Sequence, residues 1–258
     1  MTFEQRVFFD VVMFLLGLFF GSFFNVCIWR IPRRKSIVFP PSHCPHCKAP
    51  IRFYDNIPLL SYLLLRAKCR KCGQPISARY PLVEGLTGIL FLLLALKFGV
   101  SWQFLRGLVF TGLLVIISFI DLDFKLIPDT ISLPGVAVGL LSSLLVHELV
   151  PALIGAVLGA GIVFLAGWLW KLATRKAGMG SGDIVLAAMM GSFLGWQQLL
   201  LAIFIGVVLG VIIGGGEALL KKRNLDRPIP FGPFLALGSV IALFLGQMIL
   251  RWYGHLFR

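Results

Sequence analysis

The chain has 258 residues, of which 58% are hydrophobic and only 14% charged, and its mean hydropathy is +0.92. A soluble fold draws about a quarter of its residues from the charged set, so these values exclude one and point to a bilayer as the solvent. The formal net charge of +13 invites a nucleic-acid reading, but Lys and Arg gather in the loops between apolar runs, where the positive-inside rule accounts for them.

Eight apolar runs follow one another, over residues 7–28, 82–98, 104–120, 131–146, 152–170, 184–196, 199–220 and 231–249. Each is read as a transmembrane helix, the sixth being the shortest. The first carries Glu4 and Asp10 and has no clear small-x-small cleavage site, so it reads as a retained helix rather than a signal peptide. With eight spans, the connections 30–80, 121–130, 171–183 and 221–227 lie on one side and hold 19 of the 24 Lys and Arg, which makes that side cytoplasmic. The fold class expected is an all-α polytopic membrane protein of about eight transmembrane helices, with a small zinc-ribbon-like cytosolic domain between helices 1 and 2. Its domains are a first transmembrane helix at 1–29, a cytosolic zinc-binding loop at 30–81 and a seven-helix membrane core at 82–258.

That loop contains Cys44-x-x-Cys47 and, after 21 intervening residues, Cys69-x-x-Cys72. Two such knuckles complete a tetrahedral thiolate shell closed to water, so the four cysteines are assigned to a structural zinc ion. A reducing cytosol argues against disulfides. His43 and His46 are near enough in sequence to compete as ligands, whereas Cys27 reads as a packing residue of the first helix. A loop of about fifty residues buries too little to fold by itself, and metal ligation supplies the missing free energy.

Only eleven acidic residues occur, and an ionised carboxylate near hydrocarbon is costly without a polar environment or a function. Asp121, Asp123 and Asp129 follow the third run, Asp183 opens the sixth behind Gly180-Ser181-Gly182, and Glu217 lies in the seventh. The topology puts Asp121 and Asp183 on one membrane face. Two carboxylates sharing a proton can activate water and polarise a carbonyl together. Glycines at 178, 180 and 182 would let an extended substrate lie close to Asp183. A plainer alternative is that Asp183 is a helix N-cap within a glycine-rich loop. His147, Glu148 and His255 are read as surface residues.

Together these residues resemble the bacterial type IV prepilin peptidase family, the membrane aspartic proteases with a Gly-x-Gly-Asp motif. The likeness rests on Gly180-Ser181-Gly182-Asp183, on Gly21-Ser22-Phe23-Phe24-Asn25-Val26 with Arg30-Ile31-Pro32, and on the two CxxC pairs. It continues through Ile76-Ser77-Ala78-Arg79-Tyr80-Pro81-Leu82-Val83-Glu84, Asp121 with Pro128, and Pro230-Phe231-Gly232-Pro233-Phe234-Leu235-Ala236. The resemblance implies Asp121 and Asp183 as catalytic pair, with Gly180, Ser181 and Gly182 as the active-site loop. It implies cleavage of the basic leader of type IV prepilins or type II secretion pseudopilins at the cytoplasmic face of the inner membrane. N-methylation of the new N-terminus by S-adenosylmethionine is also implied, the cofactor-binding residues being unassigned. One departure stands out: the family's Arg-Gly-Lys/Arg-Cys reads Arg66-Ala67-Lys68-Cys69 here, which bears on methyl transfer if the glycine is needed for its backbone. Glu84 and Asp55 are candidates to meet the basic leader, and anionic lipid is the expected partner of the basic loop, with no nucleic acid. Other functional classes remain open: a peptidase without methyl transfer, a zinc scaffold or methyltransferase without proteolysis, and an ion-coupled transporter using the intramembrane acids.

Overall fold

The computed structural model describes residues 2–175, 180–221 and 230–256, the side chains at 214, 215, 217–221, 255 and 256 excepted. Among them the chain forms helices and turns with no strand. Eight α-helices are present: α1 (Phe3–Arg30), α2 (Leu60–Leu64), α3 (Arg79–Phe98), α4 (Trp102–Phe124), α5 (Asp129–Leu145), α6 (Leu149–Thr174), α7 (Ser181–Lys221) and α8 (Gly232–Leu256). Each expected apolar run is helical.

The count of eight crossings needs adjustment at two places. The fourth run is α5, whose 17 residues span about 26 Å at 1.5 Å each, short of a hydrocarbon core of roughly 30 Å. The sixth and seventh runs belong to one 41-residue element, α7, broken at Gly195, where φ is 71°. A straight helix of that length would greatly overreach the bilayer, and glycine tolerates this left-handed break. Among the described residues six helices are long and apolar enough to cross a membrane by length and composition, which makes this a multi-pass membrane protein.

The chain forms two compact units, Met1–Leu108 and Val109–Arg258. In the first, α1 packs along α3 through a small-residue seam: a Cβ on Gly17 would lie 2.7 Å from Gly88 Cα, and one on Gly21 would lie 2.6 Å from Glu84 Cα. Lipid gives helices no hydrophobic reason to associate, so close backbone approach supplies dispersion contact instead. In the second unit, Gly155 and Gly191 bring α6 and α7 together in the same way, and Phe110 stacks on Phe193 at 4.8 Å.

Candidate active site and metal centre

Within the first unit the two CxxC segments form repeated knuckles. Cys44 N–H donates to Ala49 O and Lys48 N–H to Cys44 O, both at 2.9 Å; Cys69 N–H donates to Gln74 O at 2.8 Å and Gly73 N–H to Cys69 O at 2.9 Å. Short bridges pair His43 with Pro50 and Lys68 with Pro75 at the same place in each. The residue after the second cysteine is left-handed in both knuckles, φ being 60° at Lys48 and 70° at Gly73.

This repetition converges all four sulfurs within 4.8 Å of one another, Cys44 Sγ and Cys72 Sγ lying 3.9 Å apart. A tetrahedral zinc site with bonds of about 2.3 Å separates its sulfurs by about 3.8 Å, so the shell fits that ion. Backbone N–H groups of Cys72 and Lys71 lower the Cys69 thiol to about 6. The Gln74 N–H opposes but does not prevent the rise of the Cys72 thiol to about 11, caused by desolvation and its sulfur neighbours. Sulfurs this close cannot all ionise together without a cation, which a dication supplies. Neither His43 nor His46 joins the cluster. Cys27 is buried in α1, as a packing residue should be.

Two turns frame the module. Arg66 and Ala67 are both left-handed, at φ 50° and 57°, so Ala67 adopts the backbone that glycine would take at this place, and the departure is accommodated at a conformational cost. Asp55 is engaged by Arg70 through two nitrogens, Nη2 to Oδ1 at 2.6 Å and Nε to Oδ2 at 2.9 Å. Glu84 is buried and accepts from Leu59 N–H at 2.9 Å. Neither acid offers the open carboxylate expected of a receptor for a basic leader, since one is spent on an ion pair and the other is enclosed.

The second unit holds the aspartates. Asp121 lies one turn from the end of α4; the helix stops because Lys125, at φ 54°, turns the chain while its N–H still reaches Asp121 O at 2.8 Å. Asp121 is 5% exposed, whereas Asp123 and Asp129 face outward, Asp129 in the first turn of α5. The Asp121 carboxylate accepts from the N–H of Gly232, the first residue of α8, at 2.9 Å. Unpaired N–H groups at a helix start stabilise negative charge, so α4 supplies the acid and α8 its donor. A Cβ on Gly232 would stand 2.7 Å from Asp121 Oδ2. The need for glycine here is steric, and nothing in the sequence pattern alone pairs residues 111 positions apart.

Asp183 has a matching arrangement. It lies in the first turn of α7, with Oδ2 accepting from Gly180 N–H at 3.1 Å while its own N–H donates to Gly180 O at 3.2 Å. Gly180 directly precedes the helix, so Asp183 reaches back to the helix start rather than occupying the N-cap. A Cβ on Gly182 would meet Ile127 O at 2.7 Å, which sets α7 directly against the turn that follows Asp121. Asp183 is near enough for its charge to be felt at Asp121. Ser181 is exposed at the mouth of this turn. Gly178 and the Glu217 side chain lie outside the described residues, and His147 and Glu148 form an exposed turn.

Two family models match the chain: a bacterial peptidase A24 N-terminal domain over residues 15–98, and the type IV leader peptidase family over residues 108–215. Among curated relatives, a prepilin leader peptidase/N-methyltransferase of Aeromonas hydrophila is 42% identical, the alignment covering 94% of this chain and 92% of that protein. Proteins of the same description from Stutzerimonas stutzeri and Neisseria gonorrhoeae are 40% and 37% identical, each over 93% of this chain and over 91% and 93% of their own. No solved structure matches.

Proposed function

The chain belongs to the type IV leader peptidase family, and from that premise we infer that it removes the leader from prepilins and N-methylates the residue exposed by the cut. Cleavage is assigned to Asp121 and Asp183. The observation carrying this assignment is that both carboxylates meet helix starts in one unit, Asp121 that of α8 and Asp183 that of its own α7, each held by a glycine N–H.

In the step this geometry supports, the ionised aspartate takes a proton from water while the protonated one donates to the scissile carbonyl oxygen. The water oxygen bonds to the carbonyl carbon. Collapse of the tetrahedral intermediate then breaks the C–N bond, and the leaving nitrogen takes up a proton from the dyad. Because the pair shares its protons, its titration belongs to both residues. Gly180, Ser181 and Gly182 form the turn along which an extended substrate lies.

The substrates are type IV prepilins or type II secretion pseudopilins with basic leaders, met at the cytoplasmic face of the inner membrane, the face carrying the basic loops. Residues 30–81 act as a cytosolic module stapled by zinc on Cys44, Cys47, Cys69 and Cys72, and its basic residues meet anionic lipid. S-adenosylmethionine, when bound, supplies an electrophilic methyl on a sulfonium. In the first unit the buried guanidinium of Arg30 would be the group to meet its carboxylate.

Incubating Asp121→Asn or Asp183→Asn protein with prepilin tests the dyad, with mass spectrometry of the pilin N-terminus as the readout. Cleavage is expected to fall about a thousandfold in either variant, while a pre-cleaved pilin is still methylated. Full cleavage by either one refutes the assignment.

A further inference from the structure

Glu84 is the buried acid of α3 to which cleavage gives no task. It is 7% exposed within an apolar span, and its attendants are neutral: the Leu59 N–H at 2.9 Å and the hydroxyl of Ser22, which faces the same carboxylate. Arg6 pairs with Asp10 and Arg70 with Asp55, and Glu84 belongs to neither pair. Among the described residues no cation is paired with Glu84. An unpaired buried charge is strongly unfavourable, so the arrangement calls for a positive partner from outside the chain.

Local geometry is also bent toward this acid. Leu59 holds φ at 60° and ψ at −49°, a conformation scarcely open to a branched residue, with its N–H on Glu84. Gly21 admits the α3 backbone at Glu84 against α1, leaving neighbouring Ser22 to face the carboxylate. Ser22 in turn lines a cavity of about 250 Å³ whose walls include Phe19, Phe23, Val26, Ile37 and Arg30. Arg30 is fixed there by donating to Ser36 O at 2.9 Å and Pro40 O at 2.6 Å. The walls are mixed, the hydroxyls of Ser22 and Ser42, the Asn56 amide and Arg30 standing among apolar side chains; at Ser22 the hydroxyl is backed by an anion, which suits that wall to an apolar residue that ends in an ammonium group.

We propose that Ser22, backed by Glu84, receives the α-ammonium of the cleaved pilin and takes its proton, with the first apolar residue of the mature chain seated in this cavity. The proposal rests on the methyltransferase reading above. An ammonium group has no lone pair, so it must lose a proton before its nitrogen can bond to a methyl carbon. That proton passes to Ser22 Oγ as the hydroxyl proton moves to Glu84, leaving a neutral amine and a neutral carboxyl. The nitrogen lone pair then forms the N–C bond as the C–S bond breaks and its electron pair stays on sulfur. The product is an N-methylammonium, and Glu84 releases its proton to solvent. Ser22 is the catalytic residue here and Glu84 the positioning residue behind it. The other ionisable groups on the packed elements are Glu4, Arg6, Asp10, Cys27 and Arg30 of α1, Tyr54 and Asp55 of the 53–56 turn, Tyr62 of α2, and Arg79, Tyr80 and Lys97 of α3. None forms an ion pair with Glu84.

Two measurements on the full-length protein test this. Without methyl donor, the wild type is expected to bind cleaved pilin with a free α-amine at least tenfold more tightly than the same pilin Nα-acetylated, and Glu84→Gln to lose that preference. With donor, Glu84→Gln should methylate at least tenfold more slowly near pH 6.8 and recover as pH rises past the ordinary α-amino value of about 7.7–8.0, where solvent supplies the neutral amine. Undiminished leader cleavage reports that the variant is folded. A purely structural role would lower methylation by one factor at every pH, and that outcome, or a retained amine preference, overturns the proposal. If Glu84→Gln does not fold, Ser22→Ala is expected to show the same alkaline recovery, and a wild-type profile from it also overturns the proposal. A wild-type enzyme that cleaves without methylating defeats the two-activity reading itself; one that methylates, together with variants that follow its profile, defeats this inference alone.

Discussion

Replacing Gly232 with alanine adds one methyl group beside the Asp121 carboxylate and tests whether the start of α8 holds that acid in place. The new Cβ would lie 2.7 Å from Oδ2, 3.3 Å from Cγ and 3.4 Å from Cβ of Asp121, so the whole side chain is confronted. Reaching an ordinary contact of about 3.4 Å at Oδ2 requires a shift of about 0.7 Å. Directed away from residue 232, that shift stretches the 2.9 Å N–H···O bond to about 3.6 Å, beyond hydrogen-bonding range. A hydrogen bond to a charged group is worth about 1.5–3 kcal/mol, and each 1.4 kcal/mol is a factor of ten in rate. Gly232→Ala is therefore expected to lower kcat/KM for prepilin cleavage about ten- to a hundredfold in purified enzyme, while methylation of pre-cleaved pilin stays at the wild-type rate. Gly161→Ala, at a position with no atom near the added methyl, is the matched control and should cleave normally. A folded Gly232→Ala protein with wild-type cleavage would refute the idea that this contact positions Asp121.

Gly182→Ala should weaken cleavage to a similar degree without abolishing folding, because its Cβ would press on the Ile127 carbonyl at 2.7 Å and push α7 from the turn after Asp121; undiminished cleavage would contradict that reading. Metal analysis of the wild type is expected to give about one zinc per chain, and Cys69→Ser should lose it and lower the thermal midpoint, whereas a fully folded, metal-free wild type would remove the staple. Ala67→Gly relieves a left-handed alanine and should stabilise the module by about 0.5–1 kcal/mol, read as slower zinc loss to a chelator; faster loss would show that φ at residue 67 is not a source of strain.

Elements that announce themselves locally were readable from the sequence. An apolar run long enough to span, a CxxC pair or an acid behind two glycines each carries its meaning within a few residues, and all of these found structural counterparts. The helix count drifted because hydropathy cannot register that Gly195 breaks an element without ending it. The family pattern points to Asp121, and only the structure shows that Asp121 is buried while Asp123, two residues on, is exposed. Gly232 carried no role because its significance lies in a contact 111 residues away. Its only local trace was a glycine between Phe231 and Pro233 at the start of an apolar run. Glu84 was visible as an acid beside an apolar run, but its enclosure by α1 and Leu59 is a tertiary fact.

The two aspartates share a construction that explains why glycine recurs around acids in this chain. A carboxylate at the edge of an apolar bundle has little water to solvate it, and side chains that donate hydrogen bonds are bulky. Backbone N–H groups at a helix start are the compact substitute, because the first four of them have no partner within the helix. Such a donor reaches a carboxylate at 2.9–3.1 Å here with its own residue reduced to a hydrogen. Any Cβ at 232 invades the acid, whereas at 182 it strikes the Ile127 carbonyl on the turn beyond Asp121. The first glycine protects one carboxylate from its neighbour, and the second lets α7 close against that turn. A bundle could retain both aspartates and every helix yet shift the surroundings of Asp121 by gaining a single methyl group at either position.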